Sequence, residues 1–346
     1  MKALFGSFSA VTLLGGGVEV QVRSLARVLN KLGVNVELFD PWKRYDLSEF
    51  NLFHLFGANV GTYHLGRAIK GLGMKLILTP VFYSRHQPAK LRAALAVVTK
   101  IRRYGGYWTE HLFCKELCGM ADLILVNTVE EGELIARGFD IPKEKIGVVP
   151  NGVEERFYYA QPDPFIKEYG IKEFVLYVGH IGMGRKNLLP LLQVLKKNRI
   201  PGVIIGPVLN NEYSQKCLKI IEGAPNLKLI PQMAPDSPLL ESAYAACDTF
   251  VLPSLYETPG LSALEAGLAG AKVCITCYGG TKEYFGNYAT YLEPKSVSSI
   301  ERAIKQSLNR PKTNELKEHI RKNFLWENCG RVLLDWYTKF SIGERE

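Results

Sequence analysis

The sequence predicts an α/β protein made of two doubly wound, Rossmann-like domains that face one another across a cleft. Short β-rich runs alternate with helical stretches along most of the chain, which is typical of parallel strands joined by crossover helices. The chain has 346 residues, more than one hydrophobic core usually supports, so two domains are expected. Open parallel sheets bind ligands outside the carboxyl ends of their strands, so two such domains predict a ligand-binding cleft.

The first domain is expected to span residues 1–157. Its most regular helix has Val18, Leu25 and Leu29 on one face and ends before Gly33, a common residue type just past a helix end. A glycine-rich turn connects this helix to the first strand. The predicted strands of this domain are residues 2–6, 35–39, 52–56, 75–79, 122–127 and 146–150.

The second domain is expected to span residues 158–325. Residues 151–172 lose the alternating pattern and contain Pro162 and Pro164, so we predict that they connect the domains. The last helix, residues 326–342, is apolar on one face and is expected to cross back to the first domain. The predicted strands of the second domain are residues 174–179, 203–206, 227–230, 249–253 and 273–276.

Composition excludes two classes of protein. With 47% apolar residues, the chain is not intrinsically disordered. Its longest apolar runs are far shorter than the roughly 18 residues of a membrane-spanning helix. No signal peptide is evident, so the cytoplasm is the expected compartment.

Seven scattered cysteines fit no disulfide framework, and the pair Cys274 and Cys277 reads as part of a buried strand rather than as a metal site.

The formal net charge of +9 indicates an anionic partner. Residues 85–115 hold seven basic residues and one acidic residue, together with apolar residues at helical spacing. This stretch is either a basic amphipathic helix that contacts a membrane surface or a solvated helix that packs on its own domain. Nucleic acid is not expected as a partner, because the basic stretch carries no aromatic or glycine-rich recognition motif.

The strongest chemical signal lies between Glu257 and Glu265, where an apolar strand leads into a loop and then a helix. Free backbone N–H groups at the start of that helix, together with its dipole, favour an anion such as a phosphate. A carboxylate close to a diphosphate is expected to bind sugar or ribose hydroxyls, because like charges repel. The alternative is that both glutamates are surface residues of an ordinary βα unit. The expected anion-binding amides are those of Gly260, Leu261 and Ser262.

The Glu-x7-Glu spacing of these two residues resembles that of the retaining glycosyltransferases of group 1, or family 4, which have the GT-B fold. Further stretches match that family in the same order and cover nearly the whole chain. They are residues 15–19, 149–153, 177–179, 185–187, 279–283 and 324–327.

The resemblance implies roles for four residues of the second domain. Lys186 matches the lysine that contacts the donor pyrophosphate, and Arg185 would add a second cation. Glu257 matches the glutamate close to the transferred sugar, and Glu265 matches the one that holds the ribose.

The resemblance also implies two glycine-containing loops near the donor. One approaches the diphosphate and the sugar, where glycine lets backbone amides come close, and it comprises Gly279, Gly280, Thr281 and Glu283. The other is the first-domain loop with Gly16 and Gly17, whose spacing is not that of a dinucleotide-binding fingerprint.

Two positions depart from the family. His180 stands where the family usually has an arginine, six residues before Lys186. Many members also carry a histidine after the fourth strand, where this chain has none at the expected place, so either the acceptor site is rebuilt or activity on the usual acceptor is lost. Candidates for an acceptor-side role are Tyr83, His86 and Asn151, the last being as consistent with a structural turn.

The expected function is therefore transfer of a sugar from a nucleotide-diphosphate sugar with retention of configuration. The acceptor is expected to be a saccharide or a lipid-linked molecule. No cofactor and no metal are expected, because cationic side chains and a helix N-terminus can neutralise the leaving diphosphate. Two alternatives stay open, namely a catalytically impaired nucleotide-sugar-binding protein or partner subunit, and a sugar-nucleotide epimerase.

Overall fold

The structure is a computed structural model that describes residues 1–106 and 108–342, with side chains at all of these except 103, 104 and 342. The chain divides into two compact units. The first comprises Met1–Gly152 and the C-terminal residues from Trp326 onward, and the second comprises Val153–Leu325. The division falls five residues before the boundary that the sequence predicted.

The strands and helices alternate through both units. The first segment contains β1 (Lys2–Gly6), α1 (Val11–Leu14), α2 (Gly17–Lys31), β2 (Asn35–Leu38), β3 (Leu52–Phe56), α3 (Val60–Gly71), β4 (Leu76–Thr79), α4 (Pro88–Gly105), α5 (Glu110–Met120), β5 (Leu123–Val126), α6 (Val129–Phe139) and β6 (Ile146–Val148). The remainder contains α7 (Asp163–Tyr169), β7 (Val175–Val178), α8 (Leu188–Lys197), β8 (Gly202–Ile205), α9 (Glu212–Glu222), β9 (Leu227–Ile230), α10 (Pro238–Ala246), β10 (Thr249–Leu252), α11 (Leu261–Leu268), β11 (Lys272–Thr276), α12 (Thr281–Phe285), β12 (Thr290–Leu292), α13 (Val297–Leu308), α14 (Glu315–Asn323) and α15 (Trp326–Ile342).

The first unit is built on a parallel sheet with the strand order β2-β1-β3-β4-β5-β6. Strands β3, β4 and β5 are buried along their whole length, as expected when helices cover both faces of a parallel sheet. Thr128 caps α6 by accepting a hydrogen bond from the Glu131 amide at 3.1 Å, which satisfies one of the free N–H groups at the helix start.

The C-terminal helix α15 belongs to the first unit and packs against α2. Its Trp336 ring lies under β6, where a Cβ on Gly147 would come within 2.5 Å of it. The buried His54 of β3 bonds to the hydroxyl of Tyr337 at 2.6 Å and to that of Thr79 at 2.8 Å. Burial lowers the pKa of His54 to about 3, so the ring is neutral.

The second unit is built on a parallel sheet with the strand order β12-β11-β10-β7-β8-β9. All five predicted strands of this unit correspond to β7, β8, β9, β10 and β11, whereas the short edge strand β12 was missed. Together with the first sheet, this confirms the predicted class of two doubly wound α/β domains.

The division between the two units falls inside the predicted interdomain connection, residues 151–172, but most of that stretch belongs to the second unit. The stretch forms a 3₁₀ turn at Glu155–Tyr159 and then α7, and Phe157 and Phe165 are buried in the core of the second unit. The Val153 amide donates to the Phe324 carbonyl at 2.8 Å, and Val153 and Leu325 form a β-bridge. The two ends of the second unit therefore lie side by side.

The basic stretch 85–115 forms α4 and the start of α5. Leu91 and Leu95 of α4 are buried, and α4 packs on α6, as expected for a helix that covers its own domain. Val97 and Ile101 point outward instead. The side chains of Arg103 and Tyr104, and residue Tyr107, lie outside what the structure describes. Over the described ranges, the helices are too short or too polar for a bilayer-crossing segment.

Candidate functional site

The sequence-predicted donor residues of the second unit come together at the carboxyl edge of its sheet. Arg185 and Lys186 lie between β7 and α8, Glu257 lies between β10 and α11, and Gly279 lies between β11 and α12. These strands are neighbours in the sheet. The chain runs from β7 towards β8 on one side and returns to β10 on the other, so the loops flank a topological switch point, where open α/β sheets bind ligands.

Glu257 is the centre of this cluster. Its carboxylate is 5% exposed and accepts a hydrogen bond from Lys186 Nζ at 2.7 Å. Arg185 Nη1 lies 3.4 Å from its other oxygen, and the fully buried Ser254 hydroxyl donates to Oε1 at 2.5 Å. Burial alone would raise the pKa of Glu257, but Lys186, Arg185 and the hydrogen bonds lower it below its ordinary value. The carboxylate is therefore ionised at neutral pH.

The turn that carries the two cations is fixed to the neighbouring loop. Arg185 Nη1 donates to the Tyr256 carbonyl at 3.0 Å, and the Leu255 amide donates to the Arg185 carbonyl at 2.8 Å. Asn187 has a φ of +54°, and its side-chain amide donates to the carbonyls of Pro253 and Pro294 at 3.0 and 2.7 Å. These bonds fix the turn that carries Lys186 against the loop that carries Glu257.

Glu265 lies in α11, on the helix that follows the Glu257 loop. It is half-buried and accepts a hydrogen bond from the Tyr244 hydroxyl of α10 at 2.7 Å. Burial raises the pKa of Glu265, and the Tyr244 hydrogen bond and the nearby Arg156 oppose that rise. The carboxylate oxygens of Glu265 can accept hydrogen bonds from both hydroxyls of a vicinal diol.

The two glycines that precede α11 and α12 are required by the backbone. Gly260 has a φ of +92° and begins α11, so the amides of Leu261 and Ser262 lie in its first turn. Gly279 has a φ of +83°, and a Cβ there would lie 2.1 Å from the Glu257 carbonyl oxygen. We expected Gly279 to let the backbone approach a ligand. Because it has no side chain, Gly279 also lets its own loop pack against the loop that carries Glu257.

The remaining predicted residues of the second unit lie nearby with different surroundings. The Thr281 hydroxyl is buried and donates to the Thr276 carbonyl at 2.8 Å, so it is engaged within the fold. Gly280 precedes α12, and Glu283 is exposed in its first turn. His180 is half-buried, and its carbonyl accepts from the Tyr177 hydroxyl at 3.2 Å.

The predicted residues of the first unit follow its strands. Gly16 has a φ of +105° and Gly17 begins α2, in the connection after β1. Tyr83 and His86 lie in the loop after β4, His86 being exposed, and Asn151 is buried after β6. Within this loop the Phe82 amide donates to the buried Glu131 carboxylate at 2.6 Å.

Three residues of the site were missed by sequence reasoning, namely Ser254, Tyr244 and Asn187. Ser254 lies three residues before Glu257 in a stretch already singled out, so its proximity was a usable signal. Tyr244 comes from another helix, and no local pattern predicts its contact with Glu265.

The cysteines are free thiols, and Cys274 is buried in β11. Among residues 1–106 and 108–342, no group of three His, Cys, Asp or Glu side chains is arranged to hold a metal ion.

Comparison with known families matches residues 163–324 to the group 1 glycosyl transferases. This match lies within the second unit and includes the stretches that carry Lys186, Glu257 and Glu265.

Two similar proteins are also named as glycosyltransferases. O-antigen chain mannosyltransferase B of Escherichia coli is 28% identical over 233 residues, which are 63% of this chain and 60% of that protein. An uncharacterised glycosyltransferase of Methanocaldococcus jannaschii is 22% identical over 262 residues, which are 69% of this chain and 67% of that protein. The chain thus spans about two thirds or less of the length of these relatives.

Solved structures match the whole chain. Sucrose-phosphate synthase of Thermosynechococcus elongatus has a TM-score of 0.77 at 17% identity, covering 99% of this chain and 100% of that one. Anabaena HepE in complex with UDP-glucose has a TM-score of 0.70 at 17% identity, covering 98% of this chain and 100% of that one. These likenesses show the fold.

Proposed function

We propose that this chain, whose residues 163–324 match the group 1 glycosyl transferases, transfers a hexosyl group from a nucleotide-diphosphate sugar to an acceptor hydroxyl with retention of anomeric configuration. The observation that supports this proposal most is the convergence of Lys186, Arg185 and Ser254 on the buried carboxylate of Glu257. Anabaena HepE, which has a similar fold, was solved with UDP-glucose, so UDP-glucose is the first donor to test.

In the proposed reaction the bond between the anomeric carbon and the diphosphate oxygen breaks, and its electron pair leaves with the diphosphate. The acceptor oxygen forms the new bond to the anomeric carbon on the same face, and the proton of the acceptor hydroxyl passes to the departing diphosphate. Lys186 and Arg185 stabilise that developing charge, because fixed cations act most strongly where charge appears in the transition state. The amides of Gly260, Leu261, Ser262, Gly280 and Thr281 would add hydrogen bonds to the phosphates. Glu257 binds hydroxyls of the transferred sugar and Glu265 binds the ribose.

Gly16 and Gly17 of the first unit are proposed to bring backbone amides to the phosphates, and His180 to line the donor site. Tyr83, His86 and Asn151 are proposed to lie on the acceptor side. We propose that no metal and no cofactor take part, because two cationic side chains and a helix N-terminus supply the charge that a metal would otherwise provide.

The experiment that tests this function is thermal unfolding against a panel of nucleotides and nucleotide-sugars with EDTA present. A ligand that binds only the folded state raises the midpoint. A rise with one nucleotide-sugar in EDTA supports both the donor site and metal independence. No rise with any of them contradicts the proposal.

A second candidate function is nucleotide-sugar binding without transfer, as an impaired enzyme or partner subunit. The positions of the histidines favour this candidate, because many family members carry a histidine on the acceptor side and this chain has none at that place. His54 is buried with both ring nitrogens bonded, and His86 is exposed on a loop. A midpoint shift with no release of nucleotide diphosphate in the presence of saccharide and lipid acceptors would support this candidate over the transferase.

We also propose a cytoplasmic location with peripheral membrane contact through residues 85–115. Ala93, Ala94, Val97 and Ile101 form an exposed apolar stripe on α4, bordered by Lys90 and Lys100. Anionic vesicles should retain the protein at low salt and release it at high salt, because salt screens charge attraction. Retention that ignores salt would contradict this contact.

A further inference from the structure

The side chain of Arg156 links several segments of the second unit to one another. Arg156 lies in the 3₁₀ turn Glu155–Tyr159, near the start of that unit, and its side chain is 27% exposed. Its contacts lead, side chain by side chain, to Glu265 of α11. An inference drawn from them therefore rests on the proposed function, in which Glu265 binds the ribose of the donor.

The guanidinium of Arg156 donates hydrogen bonds in three directions. Its Nε donates to Glu154 Oε2 at 3.0 Å, its Nη1 donates to Glu241 Oε1, and its Nη2 donates to the Pro235 carbonyl at 2.5 Å. Pro235 lies in the loop between β9 and α10, and Glu241 lies in the first turn of α10. Because arginine presents its donors in a rigid planar fork, these bonds fix the turn, the loop and the start of α10 relative to one another.

The same guanidinium packs on an aromatic pair. It lies over the Phe157 ring, 4.2 Å from the ring centre, a favourable position for a cation. The buried Phe157 ring meets the Tyr244 ring edge to face, with the two centres 5.7 Å apart. On α10, Tyr244 also contacts Phe250 of β10 at 5.8 Å. The Tyr244 ring is therefore held by partners from two other segments.

Tyr244 passes this order on to Glu265, because its hydroxyl donates to Glu265 Oε2 at 2.7 Å. Glu241 and Tyr244 lie three residues apart on α10, which places them on the same side of the helix. Arg156 thus reaches Glu265 by two routes, one through Glu241 and α10, and the other through the Phe157 and Tyr244 rings. The turn Glu155–Tyr159 also packs on α11 itself.

The charges around this network need a cation. One guanidinium serves three carboxylates, namely those of Glu154, Glu241 and Glu265. Burial is the largest influence on the pKa of Glu265 and raises it, whereas Tyr244 and Arg156 lower it and Glu154 raises it. Because like charges repel, the cation lets the three carboxylates lie in one region.

We propose that Arg156 is a positioning residue for Glu265. In this role it does not contact the donor. It holds the turn, the loop and α10 together, so that the Tyr244 hydroxyl always meets the same oxygen of Glu265. A carboxylate held in one orientation presents its remaining acceptor positions to the ribose hydroxyls in a fixed direction.

The test measures how strongly the protein prefers a ribonucleotide. The full chain is titrated calorimetrically with UDP, GDP and ADP and with their 2′-deoxy counterparts, and the ratio of the two Kd values for the tightest-binding base is the ribose preference. The wild type should bind the ribonucleotide at least about tenfold more tightly, as expected for a hydrogen bond to a charged group. Arg156→Gln should reduce this preference to about twofold or less, because the carboxylate is no longer oriented. A merely structural role would weaken both ligands alike and leave the ratio unchanged.

Two further variants examine how Arg156 acts. Arg156→Lys keeps the positive charge but loses the planar fork, so the ribose preference should stay low. Glu241→Gln keeps the guanidinium and weakens only its bond to α10. It should lower the preference as well, and it provides the measurement if Arg156→Gln does not fold.

Arg321→Gln is the matched control. Arg321 of α14 binds the same turn, since its Nη2 donates to Glu155 Oε1 and to the Tyr159 hydroxyl, both at 3.3 Å. Its guanidinium lies over the Tyr158 ring, 4.0 Å from the ring centre. These contacts resemble those of Arg156, but they are made to the turn rather than to α10. The control should lower the unfolding midpoint and leave the ribose preference unchanged.

Three results would overturn the inference. They are a wild-type ribose preference in Arg156→Gln or, if that variant does not fold, in Glu241→Gln, a full recovery of the preference in Arg156→Lys, and an equal loss of it in Arg321→Gln. A wild type that binds ribonucleotide and deoxyribonucleotide equally would remove Glu265 as the ribose ligand and this inference with it. A wild type that binds none of the nucleotides would contradict the transferase proposal itself, so the failures are told apart by the wild type alone.

Discussion

Lys186 Nζ lies 2.7 Å from Glu257 Oε1, although the two residues come from different loops at the edge of one sheet. The pair keeps a buried carboxylate ionised and holds an ammonium at the same place. In the proposed reaction, a diphosphate that binds Lys186 would compete with Glu257 for that ammonium. We therefore expect the binding of donor to release the carboxylate to accept hydroxyls.

Lys186→Ala should lower kcat far more than Arg185→Ala. Removing a fixed cation from a developing charge typically costs about 10²–10³ in kcat, whereas Arg185 lies farther from Glu257, at 3.4 Å, and shares its guanidinium with the Tyr256 carbonyl. We expect about a tenfold loss for Arg185→Ala, the equivalent of one modest hydrogen bond. Steady-state kinetics with the donor from the thermal panel measure both, and equal, small losses would contradict the assignment.

Lys186→Ala should also destabilise the fold, by about 3 kcal/mol, because it leaves a buried carboxylate with poorer compensation. The double variant Lys186→Met with Glu257→Gln removes both charges. It should regain much of the stability in urea unfolding while kcat stays low. Recovery of both would mean that the pair is only structural.

Ser254→Ala should raise the pKa of Glu257, because it removes a hydrogen bond that favours the ionised form. A carboxyl group whose folded pKa is lowered stabilises the fold above its ordinary pKa, and that contribution is lost as pH falls through the folded value. The acid-induced loss of stability should therefore begin at higher pH in the variant. Ser242→Ala is the matched control, since Ser242 is also buried but accepts from the Phe165 amide. It should lose stability without moving the pH profile.

Nucleotide affinity should fall in mildly acidic solution through Glu265. The pKa of this carboxyl group is raised above its ordinary value of 4.5, and only the ionised form accepts both ribose hydroxyls. Affinity therefore falls as pH falls through the raised value. Calorimetric titration should show the fall in the wild type and a weak, pH-independent affinity in Glu265→Gln. A wild-type affinity that stays flat as pH falls to the ordinary value of 4.5 would exclude Glu265 as the ribose ligand.

Tyr244→Phe should move that fall in affinity to higher pH. The Tyr244 hydroxyl donates to Glu265 and lowers its pKa, so its removal raises the pKa further. Tyr213→Phe is the control, because its hydroxyl accepts from the Leu189 amide instead. An unchanged pH profile in Tyr244→Phe would show that the hydrogen bond is not maintained in solution.

Gly279→Ala should destabilise the second unit much more than Gly270→Ala. Both glycines have positive φ, +83° and +91°, but a Cβ on Gly270 would meet nothing within 4 Å, whereas one on Gly279 would lie 2.1 Å from the Glu257 carbonyl. The control should cost about 1–2 kcal/mol for the backbone conformation alone. Chemical denaturation measures both, and similar losses would show that the loops can move apart.

The sequence predicted the parts of the fold that depend on local, repeating patterns of residues. Buried runs such as Leu123–Val126 and Thr249–Leu252 have the composition of parallel strands, and these strands are where the sequence placed them. The order of strands in each sheet is a non-local property, so the position of the switch points could not be read from the sequence. The edge strand Thr290–Leu292 has three residues, too few for a periodic signal.

The site was predictable where it coincides with a motif. Lys186 and Glu257 come from stretches that resemble the family, and they lie together as a shared site requires. Tyr244 and Ser254 each donate a hydrogen bond to a carboxylate. Whether they lie close enough to do so depends on the folded structure. The division between the units lies within residues 151–172, as predicted. That the later part of this stretch packs into the second unit could not be predicted, because the burial of Phe157 and Phe165 depends on partners elsewhere in the chain.

The side-by-side ends of the second unit bear on the order in which the protein is made. Residues 153–325 form one uninterrupted stretch, whereas the first unit needs its final helix, α15, to cover α2 and to bond His54 through Tyr337. During synthesis on the ribosome, the unit begun first is thus the one completed last. The same arrangement would let residues 153–325 be replaced as one continuous segment through a single pair of adjacent junctions.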